Sequence, residues 1–368
     1  MNKKGKNGEQ ELLKGHEAEI MNLNEQILSL LDKRQDLAAE AGRIRQQEGL
    51  EGLDPAQEEH IIERLAAGSG TNLDQGAIKS IFKEIFSAAC AVQNPLTVSY
   101  LGPETTFSHQ AALRLFGRSA TFRPLETIEE VFTNVERGNC QRGVVPVENA
   151  FAGSLHDTLD LFSKYDLRIC AESLLRVRYN LLTNADDLGK IARLYAHPTV
   201  VEQCKAWLLN HLPEIQVKKV ESSSKAVIMA SKDPEAAALG GNLSAKTYGV
   251  KILAEDIEDH PDNVTRFFAI SRNDCPVTGN DKTTILFSVN HKPGALYEAL
   301  KVLAKRKINM SKIESRPLRT RGWEYLFFMD IEGHRADHEI GVSLSKMKDK
   351  CEEFKIIGSY PVAKSPWP

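Results

Sequence analysis

The 368-residue sequence lacks the features of a membrane, secreted or nucleic-acid-binding protein. No apolar run approaches the ~20 residues that a transmembrane helix needs. The lysines near the N-terminus are not followed by an apolar stretch, so we expect no secretory signal. Lysine and arginine (47) nearly balance aspartate and glutamate (50), and the net charge is −3. No basic excess is therefore present to bind nucleic acid or an anionic membrane.

Cysteine and histidine form no pattern of a metal site. The six cysteines are scattered without a C-x-x-C pair, and the ten histidines show no metal-ligand spacing. Structural zinc and a disulfide framework are thereby disfavoured. We expect a cytoplasmic protein with reduced thiols, no metal and no cofactor. Its 42% hydrophobic and 26% charged residues are typical of globular proteins.

Residues 1–94 carry helical patterns only. A single apolar stripe extends over more than 25 residues, through Ile20, Leu23, Ile27, Leu30, Leu31, Leu37, Ala38, Ala41 and Ile44. A helix that long with one apolar face needs a partner, and a paired helix in a dimer would supply it. Asp54-Pro55 predicts the start of a second helix.

The rest of the chain divides into two regions that contain strands. Residues 95–275 alternate short β-rich runs with helical patterns, which predicts an α/β fold with two lobes around a cleft. Ligands of such sheets bind at the carboxyl ends of strands. Residues 280–368 follow the order strand, helix, strand, strand, helix, strand, which predicts an α+β ferredoxin-like domain.

Polar loops follow several predicted strands of the middle region. They are Gly102–Ser108, Glu148-Asn149, Gly153-Ser154, His197–Thr199, Glu221–Ser224, Gly240–Asn242 and Asn263–Phe267. Each loop alone is explained by a turn or a helix cap. Together they indicate a small anionic ligand held by hydroxyls, amides and one arginine.

The motifs in these loops resemble those of prephenate dehydratases. The runs are GPETTFSHQAA (102–112), VVPVENAFAGS (144–154), AHPTVVEQC (196–204), ESSSKA (221–226), AALGG (237–241), TYGV (247–250) and NVTRF (263–267). The resemblance implies a two-lobed fold similar to periplasmic binding proteins. It also implies conversion of prephenate to phenylpyruvate, CO₂ and water without a cofactor. One departure is Thr105, where the family usually has glycine.

Site residues follow from this resemblance. It gives the Thr265 hydroxyl the role of donor to the departing hydroxide, and Arg266 that of a fork for a substrate carboxylate. The alternative for Arg266 is a structural ion pair with an acid such as Glu255 or Asp256. Further donors implied by the resemblance are Thr106, Asn149, Ser154 and Ser223.

The C-terminal region resembles the ACT regulatory domain of phenylalanine-sensitive dehydratases. The resemblance rests on Gly294-Ala295-Leu296 at a predicted helix start and on Glu314-Ser315-Arg316-Pro317. It implies that these seven residues bind L-phenylalanine, which inhibits the enzyme, and that the domains pair in a homodimer or homotetramer. We expect a chain without 282–368 to be active but insensitive to phenylalanine.

The N-terminal region resembles the chorismate mutase domain that is fused to these enzymes. Matching site residues are Arg34, Arg45, Asp54, Glu58 and Gln93. Glu17 and Gln57 replace two arginines of the family, and Ala89 replaces a serine. Since chorismate is a dianion, these replacements predict weak or absent mutase activity and a remaining role in dimerisation.

The leading hypothesis is therefore a cytoplasmic prephenate dehydratase of phenylalanine biosynthesis, inhibited by phenylalanine. One alternative is a fully bifunctional chorismate mutase/prephenate dehydratase. Two others are a dehydratase that prefers arogenate and a non-catalytic amino-acid sensor.

Overall fold

A computed structural model describes residues 3–47, 55–68, 72–93, 96–151, 153–317 and 325–363. It begins with three helices, α1 (Lys3–Gln47), α2 (Pro55–Ala67) and α3 (Gln75–Gln93). At 1.5 Å per residue, the 45 residues of α1 span about 68 Å, more than twice the length of α3. The apolar stripe of α1 is largely exposed, with Ile20 at 57% and Leu30 at 64%. Among the described helices, none is long and apolar enough to span a bilayer.

Two lobes follow, each built on one sheet. Lobe 1 has the strand order β2-β1-β3-β11-β5, with the short β4 beside β3. Its strands are β1 (Thr97–Leu101), β2 (Thr121–Leu125), β3 (Arg142–Asn149), β4 (Gly153–Ser154), β5 (Arg168–Arg176) and β11 (Val264–Ser271). Its helices are α4 (Phe107–Phe116), α5 (Ile128–Glu136) and α6 (His156–Lys164).

Lobe 2 is inserted between β5 and β11, so the chain crosses twice between the lobes. Its strand order is β10-β6-β9-β7-β8. The strands are β6 (Asn180–Thr183), β7 (Arg193–Ala196), β8 (Gln216–Lys219), β9 (Ala236–Gly240) and β10 (Lys251–Ala254). The helices are α7 (Pro198–Gln203), α8 (Lys205–His211), α9 (Ser223–Ser231) and α10 (Asn242–Tyr248), with a 3₁₀ turn at Leu188–Lys190.

The C-terminal domain is a four-stranded antiparallel sheet in the order β13-β14-β12-β15. Its elements are β12 (Asp281–Ser288), α11 (Ala295–Ala304), β13 (Met310–Pro317), β14 (Tyr325–Glu332), α12 (His338–Lys348) and β15 (Glu353–Pro361). Both helices pack on one face of this sheet, around Ile285, Phe287 and Met329. The predicted fold class is confirmed in all three regions: helical, two-lobed α/β and ferredoxin-like.

The other face of the C-terminal sheet packs directly on lobe 1. Leu286, Phe328 and Tyr360 belong to the same buried cluster as Phe162 and Phe268 of lobe 1. A Cβ atom at Gly358 would lie 2.4 Å from the carbonyl oxygen of Ile169, so the backbones of β15 and β5 touch and only glycine fits. The C-terminal domain and lobe 1 therefore share one hydrophobic core.

Candidate active site

Thr265 and Asn149 meet at the edge of lobe 1 that faces lobe 2. They are direct partners in the antiparallel pairing of β11 with β3. The Asn149 side-chain nitrogen donates to Thr265 Oγ1 at 2.9 Å and to Asn263 Oδ1 at 2.7 Å. Among the described residues, Thr265 Oγ1 forms no other hydrogen bond. Because Oγ1 accepts from Asn149, the Thr265 proton is available to a ligand.

The loop of lobe 1 that follows β1 also reaches lobe 2. Thr105 has φ 67°, a left-handed conformation that explains why glycine is common at this position. Its hydroxyl donates to Ser224 Oγ and accepts from Ser244 Oγ, both at 2.9 Å. These two bonds connect the lobes and hold the threonine in its unusual conformation.

The predicted donors Thr106 and Ser223 are neighbours of this contact. Thr106 is the N-cap of α4, where its hydroxyl accepts from the backbone nitrogen of His109. The same hydroxyl donates to the carbonyl oxygens of Leu101 at 3.1 Å or Pro103 at 3.0 Å, so its proton is bonded within its own loop rather than directed at a ligand. Ser223 begins α9 and precedes Ser224 in the chain. The structure thus places both residues where the two lobes face each other, at the N-termini of helices.

His109 and Tyr100 lie behind the loop as neutral groups. His109 Nδ1 accepts from the Thr105 backbone nitrogen at 3.0 Å, and its ring stacks on Tyr100 with centroids 4.6 Å apart. Burial lowers the pKa of His109, and Glu104 opposes that shift. Burial, reinforced by Glu104, raises the pKa of Tyr100, whose buried hydroxyl has no hydrogen-bond partner among the described residues.

The lobe 1 sheet separates Arg266 from Thr265. Successive side chains of a strand point to opposite faces, so Arg266 lies on the face that meets the C-terminal domain. Its guanidinium lies 2.6 Å from Glu172 Oε2 and 2.7 Å from Asp330 Oδ2, and donates to the Tyr360 hydroxyl at 3.1 Å. The acids paired with Arg266 are thus Glu172 and Asp330, and the structure does not bring its guanidinium to Asn149 and Thr265.

Ser154 lies on the same face as Arg266. It pairs with Glu148 across β3 and β4, and Glu148 pairs with Arg266 across β3 and β11. The Ser154 hydroxyl donates to the Glu314 carboxylate and accepts from Lys312 Nζ at 3.2 Å. Its partners thus come from the C-terminal domain rather than from the cleft.

A cavity of about 550 Å³ opens in the C-terminal domain at the start of α11. Its walls are Val289, Asn290, His291, Lys292, Pro293, Gly294, Ala295, Leu296, Tyr297, Tyr325 and Phe327. Gly294 has φ 81°, which lets the chain turn into the helix. The cavity combines aromatic side chains with a helix N-terminus.

Strand alternation divides the motif Glu314–Pro317. Ser315 and Pro317 pair with the cavity residues Phe327 and Tyr325, so they lie on the helix-covered face of the sheet. Glu314 and Arg316 lie on the opposite face. There Arg316 contacts Asp160 at 2.6 Å, and Glu314 contacts Ser154. Glu314 and Arg316 therefore face lobe 1, whereas Ser315 and Pro317 face the cavity side.

The helical region holds a second, smaller cavity of about 280 Å³. Arg34 lines it, with its guanidinium 4.6 Å from the Phe86 ring centroid. One terminal nitrogen of Arg34 is buried without a hydrogen-bond partner in the described part of the chain. Glu17 is exposed and lies 17 residues earlier in α1, about 25 Å along its axis. Ala89 is buried in α3, at 3% exposure.

The structure does not describe the remaining residues predicted for the site in the helical region. Asp54 and the side chains of Arg45, Gln57, Glu58 and Gln93 lie outside the described residues.

Comparisons with known proteins agree with the three-part architecture. Family models match residues 16–94 (chorismate mutase type II), 98–275 (prephenate dehydratase) and 283–340 (ACT domain). A bifunctional chorismate mutase/prephenate dehydratase of Aquifex aeolicus is 41% identical over 357 residues, covering 96% of this chain and 99% of that protein. The chain belongs to this bifunctional family. The C-terminal domain is accordingly an ACT domain, and the two lobes form a dehydratase domain.

Solved structures support the same fold. A prephenate dehydratase from Arthrobacter aurescens, in complex with L-Phe, has 33% identity and a TM-score of 0.67. The match covers 74% of this chain and 92% of that one. GqqA, described as a novel type of quorum quenching acylase, has 28% identity and a TM-score of 0.65, with coverage of 73% and 98%. This fold is thus compatible with more than one reaction, and the side chains must decide the function.

Several residues of the site were missed from the sequence. They are Ser244 at the lobe contact, and Glu172, Asp330 and Tyr360 around Arg266. Ser224 and Asn263 lie in the polar loops identified from the sequence but were not singled out there as site residues. The separation of Thr265 from Arg266 did have a signal. Both lie in a run read as leading into a strand, where neighbours point to opposite faces.

Proposed function

We propose that the dehydratase domain converts prephenate to phenylpyruvate, CO₂ and water. The observation that carries this proposal is the Thr265 hydroxyl, which accepts from Asn149 and keeps its own proton for a ligand. The reaction needs a donor at the departing hydroxide, while formation of the aromatic ring supplies the driving force. A free threonine is a weak acid, so its role is that of a positioned hydrogen-bond donor.

The substrate carboxylates need donors other than Arg266, because that guanidinium is held behind the sheet. The N-termini of α4 and α9, with Thr106 and Ser223, face the same space between the lobes. Backbone N–H groups at helix N-termini favour bound anions. We place the carboxylates there, with the ring hydroxyl toward Thr265.

Regulation by L-phenylalanine is the second part of the proposal. The 550 Å³ cavity offers Tyr325 and Phe327 to an aromatic ring and the N-terminus of α11 to a carboxylate. The related dehydratase solved with L-Phe supports this choice of ligand.

Association as a dimer or tetramer would cover the exposed apolar stripe of α1.

We further propose that chorismate mutase turnover is weak. The unpartnered guanidinium nitrogen of Arg34 favours an anion in the small cavity, and relatives of this chain carry a bifunctional name. Glu17 and Gln57, however, stand where the family has cations, and a carboxylate repels a dianionic substrate.

The test is turnover by the purified full-length chain. Prephenate, arogenate and chorismate are supplied in parallel, and phenylpyruvate, phenylalanine and prephenate are measured as products. We expect phenylpyruvate from prephenate, inhibition of that reaction by phenylalanine, and slow chorismate consumption. Faster turnover of arogenate would indicate an arogenate dehydratase. Phenylalanine binding without turnover of any substrate would indicate a sensor.

A further inference from the structure

Arg266 is the centre of a buried contact between lobe 1 and the ACT domain. We call Arg266, Glu172, Asp330 and Tyr360 the Arg266 network. The guanidinium Nε donates to Glu172 at 2.8 Å, Nη1 to Asp330 at 2.7 Å and Nη2 to Tyr360 at 3.1 Å. All four residues are buried. Asp330 and Tyr360 belong to the ACT domain, so the buried guanidinium depends on that domain for two of its three partners.

The charges of this contact are balanced. Lys282 donates to Glu172 at 3.0 Å, which sets two cations, Arg266 and Lys282, against two carboxylates. Glu148 lies 3.9 Å from Arg266, but Lys312 pairs with it at 2.7 Å. Burial alone would lower the pKa of Arg266; Tyr360, Asp330 and Glu172 outweigh it and raise that pKa. Removing one carboxylate would leave a buried cation without its counter-charge.

The strand β3, which pairs with the Thr265 strand β11, is irregular at this point. The pairing of β11 with β3 shifts register between Arg266 and Phe267, where β3 has an extra residue. Such a bulge disrupts the ladder locally and turns side chains to new directions. On its other side β11 pairs with β5 without a shift from Val264 to Ala269, so the interruption is confined to the β3 side, which carries Asn149. The anchored Arg266 side chain supplies a second constraint, one residue away.

We propose that Asp330 and Tyr360 are positioning residues of the dehydratase site. By holding Arg266 behind the bulge, they fix β11 so that Thr265 Oγ1 stays on the Asn149 amide. The ACT domain is then part of the dehydratase machinery rather than a removable attachment. This changes the expectation from the sequence: a chain without 282–368 would lose these anchors together with its activity.

Strand β14 connects Asp330, which holds Arg266, to the cavity of the ACT domain. β14 carries Tyr325 and Phe327 on the cavity side and Asp330 on the lobe 1 side. A ligand that moves β14 would therefore move the carboxylate that holds Arg266. This gives phenylalanine a physical route to Thr265 along one strand.

The test compares Asp330→Asn with Asp274→Asn in the full-length chain. Asp274 forms the control pair: it contacts Arg335 and lies 3.7 Å from Arg168, but it is 41% exposed and contacts no member of the Arg266 network. In Asp330→Asn we expect kcat for prephenate to fall at least ~10-fold while KM stays within about 3-fold, since small displacements at a reacting centre cost this much. Asp274→Asn should leave both constants unchanged.

A second readout separates positioning from general stability. Asp330→Asn/Lys282→Gln restores the charge balance, so its melting temperature should recover while kcat stays low. Hydrogen exchange of a peptide covering 264–271 should be faster in Asp330→Asn than in Asp274→Asn. If Asp330→Asn does not fold, Tyr360→Phe removes only one hydroxyl and should still lower kcat, by about 3-fold or more.

The inference rests on the proposed dehydratase activity for its kinetic part only. A wild type that is inactive toward prephenate would refute the proposed function, and the exchange of 264–271 would then decide the inference alone. Wild-type kcat in a folded Asp330→Asn would overturn the positioning role. So would recovery of kcat together with melting temperature in the double variant, or equal exchange in Asp330→Asn and Asp274→Asn.

Discussion

The dehydratase site and the mutase-like cavity are built in opposite ways. In the dehydratase domain, Thr265, Asn149 and the Thr105 loop come together through strand register and through contacts between two lobes of one chain. In the helical region, Arg34 keeps an unpartnered buried nitrogen, and Glu17 lies about 25 Å away along the same helix.

The difference follows from the geometry of the two kinds of element. A sheet places residues distant in sequence side by side, so a single chain can complete a polar site. The 45-residue helix α1 spreads its own side chains along its axis, so distant residues of α1 cannot contact each other. A site that needs them must be completed by side chains of another helix. We therefore expect the dehydratase site to be complete in one chain and the mutase-like site to depend on a second copy.

Thr265→Val is the strongest way to break the dehydratase side of this comparison. It keeps the shape of the side chain but removes the hydroxyl, so kcat for prephenate should fall at least ~10²-fold, the usual scale for one positioned donor. Steady-state kinetics with prephenate measure the change. Thr183→Val is the control, because Thr183 is also a buried threonine, lies in lobe 2 and donates its hydroxyl to the Ala236 carbonyl. Near-normal kcat in folded Thr265→Val would remove Thr265 from the mechanism.

Glu17→Arg/Gln57→Arg tests the mutase side. It restores two cations toward a dianion, and one desolvated charged contact is worth about 2–5 kcal/mol, so chorismate turnover should rise at least ~20-fold. Chorismate consumption by the full-length chain measures this effect. Glu19→Arg, at another exposed position of α1, is a control for added charge. Rapid chorismate turnover by the wild type would favour the fully bifunctional alternative instead.

Glu314→Gln sharpens the comparison within the ACT domain. Because Glu314 faces Ser154 and not the cavity, we expect the affinity for phenylalanine to stay within about 2-fold, while inhibition of the dehydratase weakens by about 5-fold, a typical coupling. Calorimetric binding and inhibition curves separate the two quantities. Glu298→Gln, on the exposed side of α11, serves as the control. A tenfold loss of affinity in Glu314→Gln would place this carboxylate in the phenylalanine site.

The smallest expected effect is the change in the free energy of unfolding with pH that His109, behind the Thr105 loop, contributes. Burial lowers the pKa of His109 in the folded chain, so the unfolded chain binds a proton first as the pH falls below about 6.5. The free energy of unfolding should therefore decrease from that pH down to the lowered pKa and stay level below it. His109→Gln should flatten this part of the curve, measured by urea unfolding between pH 7 and pH 5. His211→Gln, an exposed histidine of α8, should not.

Much of the fold follows from sequence patterns, and the exceptions have physical causes. The β-rich runs predict strands at Thr97–Leu101 and Arg193–Ala196, and β1 and β7 have these bounds. β2 was missed because it contains Pro124, which is tolerated there since β2 is an edge strand. β6 and β10 were also missed, because each has only four residues and so shows little pattern. The apolar pattern also predicts one helix over Val200–Leu212, but the structure divides it at Cys204, whose φ and ψ of −117° and 19° leave the helical region.

Site residues could be proposed from the sequence where they lie in local motifs. Those that only packing between domains brings to the site could not. Thr265 and Asn149 lie at the ends of β11 and β3, and Thr106 and Ser223 at the N-termini of α4 and α9, within the polar runs that carry the motifs. Asp330 and Tyr360 gave no signal, because only the docking of the ACT sheet on lobe 1 brings them to Arg266.

The shared core has a consequence for how the chain folds during synthesis. Phe162 and Phe268 of lobe 1 are covered by Leu286, Phe328 and Tyr360, which leave the ribosome later. Lobe 1 therefore presents an uncovered apolar face until β15 has been translated. Chains terminated before β15 would expose this face and tend to aggregate, so the addition of β15 is the step that completes the shared core.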